Sequence, residues 1–151
     1  MSTRSATIIR QTTYWGEEAK TEEIMRFYRH CDGYPEGHGL EMAEAIRNAD
    51  YDKTEGSCWV AGLLKWFLTN NPFATSINFE DGNSQHGDLE YLYVVDGLVD
   101  CRWGAKHGGR LPIKISVYGI GWDEDYADAE KREPVFSGTA YEYIKRFGGK
   151  S

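Results

Sequence analysis

The hydrophobic positions change period along the chain, and the changes mark its elements. Ala6 to Gln11 carries Ile8 and Ile9 in an alternating run that predicts a strand. Ile24 to His30 predicts a second, with Met25 and Phe27 on one face and Ile24, Arg26 and Tyr28 on the other. Between them, Gly16 to Glu23 is rich in small and acidic residues and reads as a turn or loop, so the two strands should pair as a hairpin. In Asp32-Gly33-Tyr34-Pro35 the glycine permits positive φ and the proline holds φ at about −65°, so the chain must turn sharply there. Leu40, Ala43 and Ile46, with Met42, Ala45 and Ala49, then recur at helical spacing until the polar stretch Asn48 to Glu55. A second helix follows, with Ser57 as its N-cap. Trp59, Val60, Leu63, Leu64, Phe67 and Leu68 form its apolar stripe, and Asn71-Pro72 stops it.

From Ser76 to Tyr118 the period switches to two. Ile77 and Phe79 alternate with polar residues, Leu89 to Val95 alternates less cleanly, Asp96-Gly97 predicts a hairpin turn into Leu98 to Trp103, and Ile113, Ile115 and Val117 complete a fourth strand. The acidic stretch Gly121 to Glu133 predicts an exposed loop. Thr139-Ala140-Tyr141-Glu142 is a capping-box pattern that opens a short helix through Ile144 and Phe147 to Gly148. The expected class is α+β in one domain, 1–151: a single antiparallel sheet, made of the N-terminal hairpin and a C-terminal meander, packed against two main helices and a short C-terminal one.

A chain of 151 residues that is 40% hydrophobic and 14% aromatic can bury a sizeable core without staples. Its net charge of −7 disfavours direct nucleic-acid binding through bulk electrostatics, yet is too modest for an acidic imitation of a duplex. Cys31, Cys58 and Cys101 are odd in number and form no C-x-x-C pair, which suits a reducing compartment. The N-terminus lacks an apolar export segment, and the run Trp59 to Leu64 is far short of the roughly 20 residues a membrane span needs. The cytoplasm is the expected setting, and membrane insertion is not expected.

The densest chemistry lies in His30-Cys31-Asp32-Gly33-Tyr34-Pro35-Glu36-Gly37-His38, at the turn from strand to helix. If His30 and Asp32 share a side of the strand, Glu36 or His38 could fold back toward them, giving an acid/base pair or a His/carboxylate ligand set. The bland alternative is a structural turn. No spacing matches a zinc signature and no motif requires a cofactor. The glycine-rich loop Gly104 to Arg110 sets Lys106 and Arg110 beside free amides and could cradle an anion, as could Arg4, Arg10, Arg26 and Arg29 around the N-terminal strands. A plain loop and ordinary solvation of a sheet face are the simpler readings of these two sets. Asp123, Asp125 and Asp128, with Tyr126, could meet a basic partner surface, although the EF-hand spacing is absent and a solvated loop would look the same. No serine or cysteine carries a local nucleophile signature.

The opening S-T-R-S-A-T-I-I and the later F-Y-R-H-C-D-G-Y-P-E-G-H-G-L resemble a family of small proteins common in bacteriophages, prophages and other mobile elements. The shared features are the S-T-R start and an H-x-D-G-Y-P-E-x-x-G turn, here Ser2, Thr3, Arg4, His30, Asp32, Gly33, Tyr34, Pro35, Glu36 and Gly39. The resemblance spans about the first 45 residues and assigns these positions no chemistry. What it implies is company: small accessory phage proteins often bind and inhibit a host defence or regulatory protein, anti-CRISPR proteins among them. The leading expectation is therefore a non-enzymatic binding protein acting on a host protein in the host cytoplasm. A small enzyme or ligand- or metal-binding domain at His30, Asp32, Glu36 and His38 is the alternative, and a phage structural or morphogenetic component the third. Self-association is left open.

Overall fold

The computed structural model describes residues 3–15, 17–30, 32–48, 58–69, 77–80, 87–100 and 113–148. The N-terminal hairpin is longer than the hydrophobic runs imply. Strand β1 (Ser5–Trp15) pairs antiparallel with β2 (Glu18–Arg29), so most of the acidic stretch expected as a loop is an exposed strand arm. A bulge opposite Ile9 and Arg10 leaves Ile24 as the extra residue, and beyond it the strand keeps Phe27 on one face and Arg26 and Tyr28 on the other. The same irregularity lets both Ile24 and Met25 pack against the main core.

After β2 the chain makes one π turn, Pro35–Gly39, and runs directly into helix α1 (Leu40–Asn48). Helix α2 (Cys58–Thr69), strand β3 (Ile77–Glu80), β4 (Tyr91–Asp100) and β5 (Ile113–Gly119) follow. A short helix α3 (Tyr126–Ala129), strand β6 (Phe136–Gly138) and helix α4 (Ala140–Phe147) complete the described order. All six strands form one sheet in the order β3-β2-β1-β4-β5-β6.

The class is α+β around one sheet, as the periodicity implied, but the sheet is mixed. Strand β4 lies parallel to β1, with Ala6 beside Leu92 and Ile8 beside Val94. Parallel neighbours need a crossover, and the chain supplies it through β2, the two helices and β3, which docks on the far edge against β2 instead of joining a meander. The antiparallel pairs thus fall in two runs, β3-β2-β1 and β4-β5-β6, joined by the parallel β1–β4 pair. The predicted Asp96-Gly97 hairpin does not exist. Strand β4 passes straight through both residues, pairing Asp96 with Lys114 and Gly97 with Ile113.

Two cores flank the sheet. On the first face α1, α2 and α4 bury Ile9, Phe27, Met42, Trp59, Leu63, Phe67, Tyr93, Val95, Ile115, Val117 and Tyr143. On the second, α3 and its flanks cover Ala6, Ile8, Tyr28 and Leu92 with Ile120, Tyr126 and Ala129. The acidic stretch expected as an exposed loop therefore carries the lid of the second core. The capping box at the start of α4 forms as the sequence implied, Thr139 accepting from the Glu142 amide and Glu142 from the Thr139 amide. The predicted Ser57 cap, the Asn71-Pro72 stop and residues 101–103 of the strand predicted from Leu98 lie outside the described residues, while Leu98 to Asp100 continue β4.

Gly97 owes its identity to packing. A Cβ there would sit 2.5 Å from Cζ2 of Trp59, whose indole N–H donates to Gln11 Oε1 at 2.7 Å and so cannot slide away freely. Overpacking of this kind costs about 1–3 kcal/mol, and Gly97→Ala should lower the urea midpoint accordingly. Gly119→Ala, where a Cβ meets nothing within 4 Å, should change it little. Equal midpoints for the two variants would show that the Trp59 contact yields without cost.

Candidate functional site

The histidine-rich turn is assembled by backbone bonds. Asp32 adopts a left-handed conformation, φ 59°, which a short polar side chain tolerates, and this reverses the chain. Its carbonyl accepts the His38 N–H at 2.9 Å, and the Gly33 N–H donates to Thr3 O at 2.9 Å, tying the turn to the residues preceding β1. Two buried tyrosines reach in from the sheet and from α4: Tyr93 donates to Gly33 O and Tyr143 to Pro35 O, each at 2.7 Å. Burial raises the pKa of both phenols well above normal, so they stay protonated donors. Gly39 is packed so closely under the Tyr143 hydroxyl and the Tyr93 ring that any Cβ would overlap them.

These contacts drive His38 into the core, where it is fully buried. Arg29 Nη1 lies 3.1 Å from its Nδ1 and Thr7 Oγ1 2.7 Å from its Nε2. Arginine has no acceptor, so Nδ1 must carry the lone pair and Nε2 the proton, which is donated to Thr7. The ring is thus a neutral imidazole of fixed tautomer. Phe27, Phe67 and Tyr93 surround it in edge-on contacts with centroids 5.8, 5.6 and 4.9 Å away. Burial, and secondarily the Arg29 cation, hold its pKa well below 6.5. Arg29, also fully buried, donates the same Nη1 to Glu41 on α1.

The residues singled out from the sequence are not gathered into one cluster. His30 is exposed at the end of β2 with Nδ1 3.0 Å from the Tyr28 hydroxyl, Glu36 is exposed, Asp32 is half-buried in the turn, and His38 points inward to Thr7 and Arg29. Among the described residues no three His, Cys, Asp or Glu side chains converge where a metal ion could sit. The cationic candidates are engaged by carboxylates: Arg4 with Asp88 at 3.2 Å, Arg29 with Glu41, Arg26 with Glu23, and Arg10 in a two-pronged pair with Glu130. Arg10 and Arg26 do share the second face of the sheet, where Arg26 also lies over the Tyr126 ring at 5.1 Å. Lys106, Arg110 and their glycine-rich loop lie outside the described residues, as do Cys31, Cys101 and the Cys58 side chain.

The acidic segment resolves into an outer and an inner part. Tyr126, expected at the contact surface, is 2% exposed and belongs to the second core, because the α3 turn places it and Ala129 against the sheet. Asp123, Asp125 and Asp128 face solvent, the last paired with Lys131 at 3.1 Å. Beside them Trp122 is 81% exposed, a residue that sequence reasoning passed over. The available signal was its setting, a tryptophan inside Gly-Trp-Asp-Glu-Asp with no apolar periodicity to bury it. Its loop is pinned at several points. The Asp123 N–H donates to Gly87 O at 2.7 Å, the Gly121 N–H to Glu124 Oε1 at 2.8 Å, and Arg132 holds both the Glu124 carboxylate and Gly119 O.

A scan against protein-family models returns no match for this chain, and searches of curated proteins and of solved structures return none either. No helix among the described residues is long and apolar enough to cross a membrane.

The buried imidazole makes stability depend on pH. Its folded pKa lies below the unfolded value of about 6.5, so the stability it contributes is complete above that pH. It is lost as pH falls further, at up to about 1.4 kcal/mol per pH unit, until the folded pKa is reached. Urea melts between pH 7 and 5 should show this slope, and His38→Gln should remove it while lowering stability throughout. An unchanged slope in the variant would assign the effect to carboxylates instead.

Proposed function

We propose that the chain is a non-enzymatic binding protein that covers a surface of a host protein, in the manner of small phage or mobile-element accessory proteins such as anti-CRISPR proteins. The observation that carries this reading is Trp122, left 81% exposed on a loop whose backbone and carboxylates are already bonded in place. An exposed tryptophan leaves apolar area to bury, and a loop with a pinned backbone has less entropy to lose on docking, which are the attributes of a pre-ordered contact anchor. Asp123 and Asp125 follow it closely in the chain, so the matching surface is basic, and the overall charge of −7 speeds encounter with such a surface. The resemblance of the first 45 residues to phage-borne proteins supports the host setting. The titratable residues between His30 and His38 support it from the other side, because the structure engages His38 in holding the fold and leaves His30, Asp32 and Glu36 apart from it.

The test is capture by tagged protein from nuclease-treated lysate of a candidate host, with Trp122→Ala and His30→Ala run beside it. A stoichiometric partner retained by the wild type and His30→Ala, and weakened about a hundredfold or more by Trp122→Ala, is the expected result. Loss with His30→Ala but not with Trp122→Ala would move the function to the turn. Absence of any partner across hosts would refute a binding role.

A further inference from the structure

Strands β1, β4 and β5 continue past the part of the second face that α3 covers, and there a cleft of about 410 Å³ opens. Thr12 and Tyr14 from β1, Asp96 and Leu98 from β4, and Ile113 and Lys114 from β5 line it. The register explains the convergence of Thr12, Asp96, Leu98 and Lys114, while Ile113 packs into the first core and borders the cleft from there. Thr12 stands beside Leu98 and Asp96 opposite Lys114, and residues paired across strands project to the same side. Strand β6 reaches only Ile115 of β5, so the rim at Ile113 and Lys114 is left uncovered by it.

The walls are mainly apolar, and their charges are arranged unusually. Asp96 is partly buried and accepts from Thr12 Oγ1 at 3.2 Å, and this desolvation raises its pKa. Lys114, its cross-strand partner, is exposed and makes no ion pair among the described residues, although opposite charges at such positions can meet directly. The remaining carboxylate on the cleft, Glu142, is engaged by the Thr139 N–H in the capping box. One carboxylate, with the Arg10 guanidinium also near it, and one ammonium thus stand on neighbouring strands without an ion pair between them, in a cleft that Tyr14, Leu98 and Ile113 also line. The volume falls in the range of about 300–1,000 Å³ that holds small ligands.

We propose that this cleft binds a small zwitterion with an apolar body, a free α-amino acid with a large side chain, whose ammonium meets Asp96 and whose carboxylate meets Lys114. The site is separate from Trp122 and stands or falls independently of the partner surface. Calorimetric titration with L-tryptophan, L-phenylalanine and L-leucine tests it, together with tryptamine and indole-3-propionate, which each lack one of the two charges. At least one amino acid should bind. For tryptophan as ligand, each single-charge analogue should be weaker by about tenfold or more. Asp96→Asn and Lys114→Met should each weaken the amino acid by a similar factor with an unchanged thermal midpoint, while Trp122→Ala leaves it unaffected. Lack of heat from all three amino acids at millimolar concentration would overturn the proposal. So would analogues or charge-removed variants that bind as well as the originals.

Discussion

A neutral imidazole inside the main core is the constraint from which much of the first half of the chain follows. Arg29 is a permanent cation with no exposed surface, a state that costs several kcal/mol unless its donors find acceptors. It finds a carboxylate at Glu41 and a lone pair at His38 Nδ1. The second of these exists only while the imidazole is uncharged and its proton sits on Nε2, which Thr7 Oγ1 secures. Strand β1, strand β2, the π turn and α1 are thereby joined through one ring. The three aromatic rings around it exclude water and strengthen each bond, and they also make any misplacement expensive.

The turn preceding His38 can be understood as the device that delivers it. A regular α-helical start at Pro35 would set the following side chains at a tighter rotation, whereas the π turn widens the backbone and buries both His38 and Gly39. Tyr93 and Tyr143 then hold the carbonyls of Gly33 and Pro35, satisfying polar groups that burial would otherwise orphan. The residues of this turn therefore have structural reasons to be what they are. Asp32 takes the left-handed conformation, Pro35 opens the π turn, His38 bonds inward, and Gly39 leaves room for two phenol rings.

Much of the fold was legible because its elements are amphipathic. Helices α1, α2 and the capped α4 each bury one face and expose another, so their periods survive in the sequence. Strand β4 was not legible in that way. Leu92, Tyr93, Val94 and Val95 are all buried because the strand is central and covered on both sides, so alternation disappears. Without a period there, Asp96-Gly97 carries a turn signal, yet the glycine answers to the Trp59 ring packed on it and not to a hairpin. The parallel pairing of β1 with β4 was equally hidden, since it depends on a crossover of more than seventy residues that no local pattern encodes.

The candidate site was legible in its residues and illegible in their directions. Nine consecutive positions held every group needed for acid/base chemistry, yet period two and a π turn send His30 outward and His38 inward, and proximity in sequence became separation in space. The converse happened at the acidic segment, where Tyr126 and Trp122 lie four residues apart and look equally suited to a surface. One helical turn carries Tyr126 under Arg26, while Trp122 precedes that turn on a loop whose bonds all go to backbone and carboxylate. Burial of a charge and exposure of a large apolar ring are each costly. In this molecule the buried charge has its explanation within the fold, in the bonds that join β1, β2 and α1. The exposed Trp122 ring has no such bonds among the described residues, and that is why the proposed contact is centred on it.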